Sequence, residues 1–438
     1  MATIPGTAGN DSLDGTADAD LITGDAGNDT LNGEAGADTV DGGVGADFLY
    51  WDANSGATGV QDIYHGGTGG EGFDDSPYSQ NGGDTLSLGA TGSASGFSVT
   101  LTDGFSGTAT DAYGNILTFD GMERLRTGDG ADTINASAAT GTGYEGIRIH
   151  TGGGDDVITG SAATDYINAG SGNDTIHGGD GNDVIEAGAG DDSVFGEDGN
   201  DGIRWGDGNY DGPIGNDFFD GGTGYNSLNA WQYDAAGNGV NMVLTSATSG
   251  TVDATGAATG HLAFQNFENL LTGHGSDTVD GTAAGAGGFR VYTAWGNDLV
   301  LGSVGGDQIE GGYGADTINA GAGNDAISMT GDLFSSGPAS GDTESDLLVL
   351  TDGFGQDTVR AFTIADYQDQ WGQTIVRDRL DVSGLHDADG NPLSLNDVTV
   401  GTYTAGNGST HALLSFPNGE SLVLWGVDPA NLDRGTLH

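Results

Sequence analysis

The chain has 438 residues, with 65 acidic against 9 basic side chains and a formal net charge of −56 at pH 7. Every basic residue is arginine, and so acidic a chain repels nucleic acid and anionic membrane surfaces. It has no cysteine, hence no disulfide, thiolate metal site or thiol nucleophile, and no apolar run approaches the ~20 residues of a membrane-spanning helix.

In chain order, residues 6–50 read as five nonapeptides, GTAGNDSLD, GTADADLIT, GDAGNDTLN, GEAGADTVD and GGVGADFLY. Their sixth residues are Asp11, Asp20, Asp29, Asp38 and Asp47, and their eighth are Leu13, Ile22, Leu31, Val40 and Leu49. A fixed short period marks a solenoid, so 1–50 is expected to be a first array. Residues 51–127 are expected to form a small β insert, with SVTL ending at Leu101 as one strand. A second array, 128–229, opens on an isolated repeat at Asp132. After a detour, GTGYEGIRIH, it places Asp156, Asp165, Asp174, Asp183, Asp192 and Asp201 nine residues apart. Near its end the phase slips, with Asp217 and then Asn226 in the acidic position. A second insert, 230–272, is related to the first, for Phe119, Glu123, Leu125 and Asp132 align with Phe264, Glu268, Leu270 and Asp277 at a constant offset of 145. The third array, 273–340, carries Asp277 and then Asp298, Asp307, Asp316 and Asp325. From 341 to 438 the segments DLLVLTDGFGQDTVRAF, DRLDVSGL and ALLSFPNGESLVLWGV read as strands of a β-sandwich-like C-terminal cap. No stretch carries a convincing amphipathic helix of four turns.

Each repeat has the form G-G-x-G-x-D-x-U-x, with U a large aliphatic. The glycines permit a tight turn and leave backbone carbonyls uncovered. Carbonyls and one carboxylate are hard oxygen donors, and calcium takes six to eight of them at roughly 2.3–2.6 Å, so one turn needs a partner turn. One aliphatic per nine residues is a thin core for a chain with 86 glycines, and metal is expected to supply what burial does not. A disordered Gly/Asp linker gives no reason for a phase kept over six repeats. Asp18 and Ala163, where the fourth-position glycine is expected, weaken their individual sites.

The repeat resembles the RTX (repeats-in-toxin) calcium-binding nonapeptide. That resemblance implies an all-β fold of parallel β-roll arrays, a β-solenoid in which eighteen residues close one coil, here interrupted by the small β inserts. Aspartates eighteen apart would then face each other, pairing Asp11 with Asp29, Asp20 with Asp38, Asp156 with Asp174 and Asp165 with Asp183. Nine such pairs in the three arrays imply Ca2+ as the cofactor, with about nine or more ions. GFGQDTVRAF followed by DRLDVSGL is similar to the region after the repeats in serralysin-type proteins and implies a further ligand, Asp357. The expected metal ligands are therefore the fifteen array aspartates together with Asp132, Asp217, Asp277 and Asp357.

No H-E-x-x-H, G-x-S-x-G or P-loop motif occurs, and a carboxylate held by calcium is a poor acid or base, so no enzyme activity is expected. The six tryptophans sit mostly near array ends, where they are expected to plug the core, and Arg148, Arg204 and Arg290 at array borders to pair with surplus acid. The family resemblance implies export from a Gram-negative bacterium through a type I secretion apparatus, with folding on extracellular calcium. The repeats begin within a few residues of the N-terminus, and an uncapped coil edge invites head-to-tail self-association. The expected function is thus a secreted calcium-binding structural protein of a surface layer, matrix or filament. The alternatives are a non-catalytic secretion or folding module of a larger RTX enzyme or self-processing protein, and an adhesin binding surface glycans.

Overall fold

A computed structural model describes residues 1–52, 58–68, 83–89, 96–103, 106–139, 146–206, 214–232, 239–255, 259–330, 344–364, 367–368, 374–375 and 377–432. The chain divides into two compact units, Met1–Asp207 with Ile214–Asn226, and Gly208–Pro213 with Ser227–His438.

Each D-x-U-x half-repeat becomes a strand of three to six residues, as in Val157–Thr159 and Thr175–Asp180, in which the aliphatic is buried, joined in the longer strand by Gly178. Parallel pairing at eighteen residues places like on like. In the first unit, Leu31, Leu49, Leu86, Leu125, Ile149, Ile167, Ile185 and Ile203 follow one another in register along one wall. Ile134, Ile158, Ile176, Val194 and Phe219 do so along the other. The second unit repeats the plan, with Leu228, Leu270, Val291, Ile309, Ile327 and Val359 on one wall. Met242, Val279, Val300, Ile318, Leu348 and Leu380 line the other. The fold is all-β and built on parallel β-roll coils, and its core is two columns of branched side chains per unit.

The two inserts fold alike. Ser98–Asp103, Ser106–Thr110 and Ile116–Asp120 form an antiparallel meander, as do Val240–Ser246, Ser249–Ala254 and Gly260–Gln265. Their edges enter the parallel ladders, Val99 against Ile134, Phe119 against Tyr64 and Met242 against Val279, so an insert is a loop drawn out of one coil. At the C-terminal end the parallel ladder runs through Leu347–Thr351 and Gln356–Arg360. It closes on the meander Thr399–Thr404, Thr410–Ser415 and Ser421–Leu424, with Phe354 edge-on to Phe416 at 5.2 Å.

The turns explain the glycines. At the fourth position Gly190 has φ +137°, and a Cβ there would lie 1.9 Å from the carbonyl oxygen of Gly172 in the coil before. At the second position Asp25, Glu34, Glu197 and Ala294 adopt the left-handed conformation, with φ between 60° and 74°, and a Cβ on Gly188 would likewise lie 1.8 Å from the Gly170 carbonyl oxygen. Gly190→Ala should therefore cost roughly 1–3 kcal/mol of stability in the calcium-loaded protein. Gly406→Ala, at a site with nothing within 4 Å of the new Cβ, should be nearly neutral in the same thermal melts. Equal effects would contradict this packing of the turns.

Candidate metal centre

The aspartates of the repeats stand in files along the edges of the rolls. In each file the backbone N–H of one aspartate donates to Oδ1 of the aspartate in the next coil. Asp11 donates to Asp29, Asp29 to Asp47 and Asp47 to Asp84, while Asp20 donates to Asp38 and Asp38 to Asp62, all at 2.7–2.8 Å. In the second array Asp132, Asp156, Asp174, Asp192 and Asp217 form one file, and Asp165, Asp183, Asp201 and Asn226 another, at 2.7–2.9 Å. In the second unit Asp277, Asp298, Asp316, Asp346 and Asp378 are linked at 2.8–3.1 Å, and Asp307, Asp325 and Asp357 at 2.8 Å. Every expected ligand thus lies in a file, and the expected partners eighteen apart touch through this bond.

Besides Asn226, five acidic file members fall outside the expected set. Asp62, Asp84, Asp346 and Asp378 belong to the chains of bonds above, and Glu123 accepts from the N–H of Asp84. Each is followed two residues later by a large apolar side chain, Tyr64, Leu86, Leu348, Leu380 and Leu125, all buried. That acidic-x-apolar half-motif was the available signal. Without the glycines and the nine-residue spacing it does not stand out.

The second carboxylate oxygen carries the chemistry. Oδ2 of Asp29, Asp47, Asp174, Asp183, Asp192, Asp201, Asp325 and Asp357 is buried and has no hydrogen-bond donor. A buried anionic oxygen without a partner costs several kcal/mol unless a cation meets it. Carbonyl oxygens crowd the same spaces: a Cβ placed on Gly178 would lie 2.5 Å from Asp183 Oδ2 and 2.8 Å from the Gly196 carbonyl oxygen. Among the described residues no three His, Asp or Glu side chains converge, and a bound ion would be held by the carboxylates of the turns together with backbone carbonyls. This donor set fits calcium, which would supply the positive charge and hard-acid coordination the stacked carboxylates lack.

A family model described as the RTX calcium-binding nonapeptide repeat matches residues 5–40, 14–49, 117–139, 142–176, 169–203, 177–210, 212–231 and 292–327, a little under half of the chain. The chain carries RTX calcium-binding nonapeptide repeats. Among solved structures it is similar to the extracellular lipase LipA from Serratia marcescens, with 19% identity and a TM-score of 0.19. That match covers 61% of this chain and 40% of the lipase. No curated protein sequence matches it. The RTX assignment and the unpartnered oxygens agree on the cation.

Burial raises the carboxyls of these RTX turns, those of Asp174 and Asp325 to about 7 and those of Asp183, Asp192 and Asp357 to about 8. At Asp20 the hydroxyl of Thr16, with the N–H of Ala2, holds the carboxyl below its ordinary value instead. For the raised groups the sign is definite. A metal-free fold binds more protons than the unfolded chain, so their contribution is present in acid and lost as pH rises through about 6–8. With chelator, circular dichroism should therefore show more β-structure at pH 5 than at pH 8, and the calcium needed for half-folding should be lower at pH 6 than at pH 8. The reverse order would contradict the burial of these groups.

Proposed function

We propose that this chain is an exported, non-catalytic scaffold that is ordered by calcium outside the cell. The observation that carries the reading is the row of buried, unpartnered Oδ2 oxygens, since −56 formal charges and a two-column core leave folding dependent on cations. A chain that stays unfolded where calcium is scarce remains threadable through a type I secretion apparatus, and millimolar calcium outside would fold it. Four histidines are engaged with carboxylates on half-exposed or exposed surface, His65 with Asp120, His177 with Glu197, His261 with Asp253 and His386 with Asp352. The Ser409–His411 contact of 2.8 Å runs the wrong way for base catalysis: Nδ1 of His411 accepts from the N–H of Gly426, so a neutral ring carries its proton on the Nε2 that faces Ser409.

A second reading, head-to-tail assembly, is favoured by one observation. The strand Ala2–Thr7 pairs with Asp20–Asp25 on one side, and among the described residues its other edge has no partner. Such an edge is a template for another chain. The glycan reading finds less support at Trp295, whose ring lies between His274 and Tyr313 at 4.3 and 5.9 Å, although Trp295 and Tyr313 stay exposed.

Removal of calcium from the full chain at neutral pH should convert β-structure to coil by circular dichroism. β-structure that survives complete chelation would sink the calcium reading. If the open edge is used, light scattering in millimolar calcium should show mass rising with protein concentration. A monomer at all concentrations would remove assembly and leave the scaffold reading intact.

A further inference from the structure

The turns are of two kinds, and the difference follows their place in the file. In the G-S and G-T turns the second residue is not left-handed; its N–H and hydroxyl both turn back onto the aspartate. Thr7 donates to Asp11 Oδ2 from N at 2.6 Å and from Oγ1 at 2.9 Å, and Thr16 does the same to Asp20 at 2.7 Å from each. Ser161 and Ser303 donate from N to Oδ2 of Asp165 and Asp307, at 2.5 and 2.7 Å, and from Oγ to Oδ1, at 2.8 and 2.9 Å. In two further turns the hydroxyls of Thr127 and Thr272 close onto Oδ2 of Asp132 and Asp277.

These six aspartates are the first members of the six files. Five of them accept on Oδ1 from a residue that is not an aspartate: Ala2, Phe97, Ile147, Val240 and Phe289. Three last members are closed as well. Trp51 and Trp205, both buried, donate from Nε1 to Oδ2 of Asp62 and Asp217, and the N–H of Thr363 donates to Oδ2 of Asp378. The oxygens without donors, such as those of Asp29, Asp174 and Asp183, lie inside the files, apart from that of Asp357, which ends its file.

We propose that calcium fills the turns whose Oδ2 is left open, interior ones and that of Asp357, and that hydroxyl, indole and amide donors close the remaining file ends without metal. The inference rests on the calcium reading above and divides the aspartates that reading treats alike. A donor aimed at Oδ2 puts its positive end where an ion would sit, and a carboxylate already taking two such bonds offers calcium little. Two turns flank Asp165 Oδ2 as they flank Asp183 Oδ2, with the Gly178 and Gly196 carbonyl oxygens in matching places, so what separates the two sites is the pair of donors from Ser161.

Bound calcium is counted by elemental analysis of the full chain, dialysed to saturation, for wild type, Asp183→Asn and Asp165→Asn. Asn226 shows that an asparagine keeps the coil-to-coil bond, since its Oδ1 accepts from the N–H of Asp201 at 2.9 Å. Asp183→Asn should lose about one ion per chain, and Asp165→Asn none. Because an amide facing the donors of Ser161 can unfold that turn, anomalous diffraction from calcium-grown crystals of the unmodified chain gives a second reading. Peaks should lie beside Asp174, Asp183 and Asp325, with none within about 2.6 Å of the carboxylates of Asp11, Asp20, Asp165 or Asp307. A peak there, or equal ion loss in both variants, overturns the inference while leaving the calcium reading standing. A wild type that binds no calcium defeats the reading itself.

Discussion

Everything in this fold depends on one repeated contact, in which the N–H of an aspartate in one coil is accepted by the carboxylate of the aspartate in the next. The bond fixes coil on coil in register, and by doing so it stacks like charges at the strand spacing of about 4.8 Å. The nine arginines are few against 65 acidic side chains, and one of them, Arg204, is engaged with Glu186 on a strand face. The roll therefore needs external positive charge, and the same geometry that creates the need leaves one oxygen of interior carboxylates such as Asp29, Asp174 and Asp183 open to receive it.

The glycines and the aliphatics serve that contact from either side. Left-handed positions at the turn bring the coils close enough for carbonyl oxygens to line the spaces beside the carboxylates. Two residues after each aspartate, a buried branched side chain points into the core and stacks on its counterpart. Such a core fixes register without much area per residue. On the function proposed above, metal rather than hydrophobic burial decides whether the chain is folded.

Much of this was legible in the sequence, because a nine-residue period states the turn, the strand and the inward side chain at once. Asp156 to Asp201 and Ile158 to Ile203 are placed as the spacing predicts. What the period hides is where it is interrupted. Asp62, Asp84, Glu123, Asp346 and Asp378 join the files after insertions of different length, because strand pairing recognises only an acid followed two residues later by an apolar side chain. The serine or threonine at the second position of a repeat reads in sequence as an ordinary substitution for glycine. In three dimensions its hydroxyl takes up the bonding capacity of the carboxylate four residues on. A period reports what repeats, and the ends of a file are set by what does not.

The most direct test of the account is hydrogen–deuterium exchange across residues 165–201, whose aspartate amides form the coil-to-coil bonds. Those amides should be strongly protected in millimolar calcium at neutral pH and exchange at unfolded-chain rates once calcium is chelated. Equal protection in both conditions would show that the stacked carboxylates hold together without a cation, and would contradict the account at its centre.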